Sequence, residues 1–136
     1  MIDKQKLVEV ARSYLGTPFH HQGRLPGVGL DCAGLVVCAL KECGYIPKDI
    51  YGYSNVPSQG IFINAVMSHC ISIELSAVQP GDFMMFKFMV EPQHIALVSD
   101  KNTIIHAFSS VGKVVENNID FLWQKRLCGC YRLKEE

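Results

Sequence analysis

The sequence predicts an α+β fold, with N-terminal helices packed on a C-terminal antiparallel sheet of about five to six strands. Three observations carry this prediction. Apolar residues early in the chain recur at helical spacing, as Leu7, Val8, Ala11 and Leu15, then as Val36, Ala39, Leu40 and Cys43. From Phe83 onward the apolar runs shorten and are separated by turn residues, as strands require. With 136 residues, 49% apolar and 19% charged, the chain can bury the core of a single domain over residues 1–136, and disorder is excluded.

Each element has local signals. Asp3 can cap the first helix, Ile2 can staple onto Leu7, and Gly16 with Pro18 ends it. Thr17 to Gly29 is a Gly- and Pro-rich loop carrying His20, His21, Gln22 and Arg24. A second helix begins at Cys32 and ends near Gly44. Tyr45 to Ser58, aromatic and Pro-containing, reads as an ordered surface loop, and residues 60–69 as a short helix. Gln79-Pro80-Gly81-Asp82 is a turn. Strands are predicted over Phe83 to Phe88, His94 to Val98, Thr103 to Phe108, Val114 to Asn117 and Leu127 to Leu133.

Lys plus Arg and Asp plus Glu number 13 each, so charge gives no argument for a nucleic-acid partner or an anionic membrane. No apolar run approaches the roughly 20 residues of a membrane span, and the N-terminus lacks the apolar stretch of a signal peptide. The reading is of a chain made in the cytoplasm without membrane insertion. The six cysteines fit a reducing birthplace better than a disulfide scaffold. Cys128 and Cys130 are expected to share one strand face and pack as small hydrophobes.

Cys32 differs from the other five cysteines. Asp31 and Gly34 surround it and a helix starts at it. A thiol at a helix N-terminus faces unsatisfied N–H groups and the positive end of the dipole, so a lowered pKa is expected. The thiolate is the nucleophile of cysteine catalysis. Its base is best supplied by histidine. His94 and His106 lie on adjacent predicted strands, each in an apolar run where an unsatisfied polar group is costly. A three-residue turn at Asp100-Lys101-Asn102 sets Ala96 opposite His106 and puts both histidines on one face. A two-residue turn at Lys101-Asn102 puts them on opposite faces. Two core histidines satisfied by backbone are the alternative reading. A zinc site from Cys32 with His20, His21 or His94 is disfavoured, because no C-x-x-C or H-x-x-x-H pair anchors it. No metal or cofactor is expected.

Gly16-Thr17-Pro18-Phe19, Asp31-Cys32-Ala33-Gly34, Pro80-Gly81-Asp82, His94-Ile95-Ala96-Leu97-Val98 and Ile105-His106-Ala107, in this order over nearly the whole chain, resemble the NlpC family of papain-like cell-wall cysteine peptidases. His21-Gln22-Gly23 resembles the branch found in phage tail-tip proteins. The resemblance implies a papain-like fold with the cysteine helix against the sheet and a cleft between them. It implies a Cys-His-His triad: Cys32 as nucleophile, His94 as base, His106 orienting His94. It assigns Asp31 to recognition of a substrate amine. The substrate implied is the peptidoglycan stem peptide, cut between γ-D-glutamate and diaminopimelate or lysine, with phage tail-tip proteins as possible partners. Action in a virion tail or at the cell wall after delivery follows.

Two residues depart from the family pattern. Phe19 stands where Tyr is usual and lacks the hydroxyl, for which His20 or His21 is the candidate substitute, and Ala33 stands where Ser is frequent. All of these border the expected substrate site. Two further readings follow: a non-enzymatic tail component that binds stem peptide or a tail partner, and a related papain-like amidase or acyltransferase.

Overall fold

The computed structural model describes residues 2–47, 68–88 and 91–134. The chain runs α1 (Lys4–Ser13), β1 (Arg24–Leu25), β2 (Gly29–Leu30), α2 (Cys32–Glu42), β3 (Cys70–Ile73), a 3-10 turn (Leu75–Ala77), β4 (Phe83–Phe88), β5 (Glu91–Asp100), β6 (Thr103–Phe108), β7 (Lys113–Asn118), α3 (Phe121–Arg126) and β8 (Leu127–Leu133). The six longer strands form one antiparallel sheet in the order β3-β8-β4-β5-β6-β7, and β1 pairs with β2 in a small separate hairpin. The α+β class and the strand number agree with expectation. The Tyr45–Ser58 loop from residue 48 on, and residues 60–67 of the expected helix, lie outside the described residues.

Local chemistry explains the helices. The Asp3 side chain accepts the Lys6 N–H at 3.1 Å and caps α1, and Ile2 packs against the cluster that holds Leu7. Leu7, Val8 and Ala11 are buried and line the face of α1 turned to the sheet. Asp31 caps α2 by accepting the Gly34 N–H at 2.8 Å.

The sheet has two covered faces. Period-two alternation sends Phe83, Met85, Ile95, Leu97, Ile105 and Ala107 to one side, where they pack with Leu7, Leu35, Ala39 and Leu40 of α1 and α2. It sends Met84, Phe86, Ala96, Val98 and Ile104 to the other side, where Trp123 of α3 covers them. Neither α3 nor β3 was read from the sequence. Asp82, in the turn before β4, is 1% exposed, and Arg132 of β8 reaches it through two hydrogen bonds of 2.9 and 2.8 Å. That buried pair ties the start of β4 to its neighbour.

Two irregularities correct the sequence reading. The β5–β6 turn is the two-residue one, since Asp100 pairs with Thr103. The next pair is nevertheless Val98 with Ile104, so Ser99 is an extra, bulged residue. The bulge cancels the parity change of the short turn and keeps His94 and His106 on one face. The Ser99 and Thr103 hydroxyls bond at 2.7 Å across it. The second bulge separates the cysteine pair. Met85 pairs with Gly129 but Phe86 with Leu127, leaving Cys128 unpaired. Cys128 is exposed while Cys130 is buried beside Trp123, so the two do not share a packed face.

Candidate active site

The site is assembled where the first residue of α2 meets the middle of the sheet. Asp31 organises the approach. Its carboxylate, 3% exposed, accepts the Gly34 N–H, the Gln22 N–H at 2.8 Å and an Arg24 N–H at 2.9 Å. These bonds fold the His20-His21-Gln22-Gly23-Arg24 loop onto the first turn of α2. Gln22 takes a positive φ of 61° to reach Asp31. Gly34 permits the approach, because a Cβ there would sit 2.0 Å from the Gly23 carbonyl oxygen. The Asp31-Cys32-Ala33-Gly34 run is therefore first a packing device.

Cys32 keeps partial exposure and packs beside the core. Its sulfur faces the backbone N–H groups of Ile95 and Ala33. Among the described residues the β5–β6 ladder runs to Leu97 and Ile105, so the thiol meets β5 just past the paired stretch. Burial and the neighbouring Asp31 carboxylate push the Cys32 thiol up to about 12, against the pull of Ile95 N–H, Ala33 N–H and Arg24. This corrects the expectation of an acidic thiol: desolvation outweighs the helix N-terminus.

His94, one residue before Ile95, points to the opposite face of β5, among Phe86, Phe108 and Trp123. His94 Nε2 and His106 Nδ1 lie 2.7 Å apart, and His106 Nε2 donates to Asn117 Oδ1 at 2.6 Å. The exposures are 3% for His94 and 0% for His106. Burial holds His94 well below 6.5, and the nearby Arg126 charge, like any proton taken up by His106, disfavours its charged form further. Burial also lowers His106, against the Asn117 bond, which favours its charged form. Both imidazoles are thus neutral at rest, and they bond to each other and to Asn117 rather than to backbone.

The histidines share the α3 face, whereas the body of α2 covers the other. The His94–Ile95 peptide is the junction of the site: it carries the imidazole to one side and meets the thiol with its N–H. Trp123 forms the wall over the pair, with ring centroids 5.5 Å from His94 and 4.8 Å from His106. Trp123 and Asn117 were missed from the sequence. The signal for Asn117 was its place among the alternating residues of the strand that follows His106.

The remaining expected site residues surround the loop. Phe19 is half-buried, packs against the α2 side of the core, and its N–H bonds the Gly112 carbonyl at 2.8 Å. His20 is exposed, and its Nδ1 donates to the His21 carbonyl at 3.0 Å. The Gln22 side-chain amide reaches His21 Nε2 at 3.4 Å. Ala33 turns its backbone N–H to the Cys32 sulfur. Asp31 has its oxygens engaged by Gln22, Arg24 and Gly34 of the protein itself. No cluster of three or more metal-ligating side chains occurs among the described residues, and no described helix is long and apolar enough to cross a membrane.

Comparison with known proteins agrees with this fold. The NlpC/P60 family matches residues 16–132. The chain belongs to that family. A probable endopeptidase, NlpC, of Escherichia coli K12 is 24% identical over 126 residues, covering 90% of this chain and 73% of that protein. Dipeptidyl-peptidase 6 of Lysinibacillus sphaericus is 28% identical over 118 residues, or 86% of this chain, which spans 37% of that protein. Among solved structures, the NlpC/p60 domain of the peptidoglycan hydrolase SagA superposes with a TM-score of 0.73 at 21% identity, covering 97% of this chain and all of that one. The peptidoglycan hydrolase RipB of Mycobacterium tuberculosis gives 0.73 at 18% identity, covering 98% of this chain and 65% of that one.

Proposed function

We propose that this NlpC/P60 member is a peptidoglycan endopeptidase that hydrolyses the amide between γ-D-glutamate and diaminopimelate or lysine in stem peptides. The observation that carries the reading is the buried 2.7 Å bond from His106 on β6 to His94 on β5, the residue whose neighbour Ile95 turns its N–H to the Cys32 sulfur. Burying two imidazoles is costly unless they are satisfied, and here they satisfy each other. The relatives described as endopeptidases and peptidoglycan hydrolases give the substrate class.

The chemistry begins from a neutral thiol and a neutral imidazole. His94 takes the Cys32 proton as the sulfur bonds to the amide carbon, and the carbonyl electrons move to oxygen. The Cys32 backbone N–H at the start of α2 is the nearest candidate donor to that oxyanion. The imidazolium then protonates the leaving amine as the C–N bond breaks, giving a thioester. Water, deprotonated by His94, cleaves the thioester and restores the thiol. His106 orients His94 throughout. Phe19, Ala33, His20, His21 and the Asp31-anchored loop border the substrate.

Purified protein and Cys32→Ala are compared on L-Ala-γ-D-Glu-diaminopimelate and its lysine counterpart, with products read by mass spectrometry. Cleavage after γ-D-Glu by the unaltered protein alone is the expected result. No cleavage of either peptide would overturn the reading. Phe19, which lacks the family's hydroxyl, favours a second reading, a non-catalytic component that holds stem peptide or a tail partner. Calorimetric binding without cleavage identifies it. The His21-Gln22-Gly23 loop supports a phage or prophage tail as the carrier, tested by detecting the chain in purified tails.

A further inference from the structure

We infer that Asn117 is a positioning residue that sets the proton arrangement of both histidines and leaves Nδ1 of His94 as its basic nitrogen. This rests on the triad reading above for its functional meaning, but not for its geometry. Asn117 sits on β7, half-buried, across from Ile104 and diagonal to His106.

The orientation of its amide is fixed. Asn117 Nδ2 donates to the Asn118 carbonyl at 2.9 Å, which turns Oδ1 toward His106. A carbonyl oxygen can only accept, so the 2.6 Å bond requires a proton on His106 Nε2. A neutral imidazole carries one proton, so His106 Nδ1 holds a lone pair and acts as the acceptor. The 2.7 Å contact then requires the proton of His94 on Nε2. His94 Nδ1 is left as the basic nitrogen. One amide thus dictates two tautomers in series. Without it, His106 has no reason to prefer Nε2–H, and the reversed chain, with His106 donating and His94 protonated on Nδ1, becomes accessible. In that reversed state His94 presents no lone pair at Nδ1 and cannot accept the thiol proton there.

Asn117 lies on the sheet-edge strand and outside both core clusters, so its replacement should leave the fold intact. The test reads imidazole 15N shifts of the full chain by long-range proton–nitrogen correlation at pH 7.5. The unaltered protein should show both histidines protonated on Nε2. Asn117→Ala should show a shifted or mixed tautomer at His106 and at His94, and kcat on the stem peptide should fall at least tenfold with KM changed less than twofold. Asn117→Asp keeps an acceptor oxygen and should restore the Nε2–H tautomers. Unchanged 15N shifts in Asn117→Ala would overturn the inference, whatever the activity. Shifted tautomers in a protein that cleaves neither peptide would leave the positioning role standing and remove the endopeptidase reading instead.

Discussion

At the residue scale the decisive side chain is Cys32, and the local sequence argument about it fails for a specific reason. A helix start does stabilise thiolate, but the sulfur also sits desolvated beside the Asp31 carboxylate, and those effects are larger. His94, held well below 6.5, has no tendency to keep the proton. The free protein therefore rests as thiol and imidazole, not as an ion pair. Iodoacetamide modification of Cys32, followed by peptide mapping, should be slow at pH 7 and should still be rising above pH 9. A modification rate already at plateau by pH 6 would show a thiolate–imidazolium pair and refute this. On the same argument, kcat/KM should hold level from below pH 6.5 upward, because the basic form of His94 persists there.

At the element scale the start of α2 depends on Asp31. The carboxylate caps the helix, pairs with Arg24 and holds Gln22, so it joins the 20–24 loop to the helix start at one buried point. Removing a cap costs about 0.5–2 kcal/mol, and losing the charge-assisted hydrogen bond to the half-buried Arg24 adds about 1.5–3 kcal/mol. Asp31→Ala should therefore lose about 3 kcal/mol in urea unfolding, with Asp31→Asn losing less because it keeps the cap. A loss under about 1 kcal/mol for the alanine variant would show that the loop is not held this way. The strands were legible because alternating apolar residues between turns announce them, and β4, β6 and β8 lie where the runs predicted. The short α3 and β3 were not legible. Their residues carry too few periods to signal an element, and α3 is placed by Trp123 packing on Phe86 and the histidines.

At the scale of the whole molecule, the fold keeps two titratable rings neutral in its interior. Both folded pKa values lie below the unfolded value of about 6.5. Below that pH the unfolded chain binds protons that the folded chain refuses, so stability is full above pH 6.5 and falls as pH drops beneath it. Each histidine contributes a slope of up to about 1.4 kcal/mol per pH unit until its folded pKa is reached. Urea midpoints should fall between pH 7 and pH 5, and by less in a His94→Gln variant. Equal midpoints at the two pH values would mean that the pair is protonated in the folded state.

The sequence by itself determined the α+β class, the Asp3 cap of the first helix, the principal strands and the candidates Cys32, His94 and His106. These follow from periodicity and from residue chemistry, which act over a few positions along the chain. Only the tertiary structure decided the parity of the two histidines, the exposure of Cys128, the protonation of the thiol and the entry of Asn117 and Trp123. A single bulge at Ser99 reverses which face a strand residue occupies, and no local propensity marks it. Desolvation, likewise, depends on what the rest of the chain packs around a group.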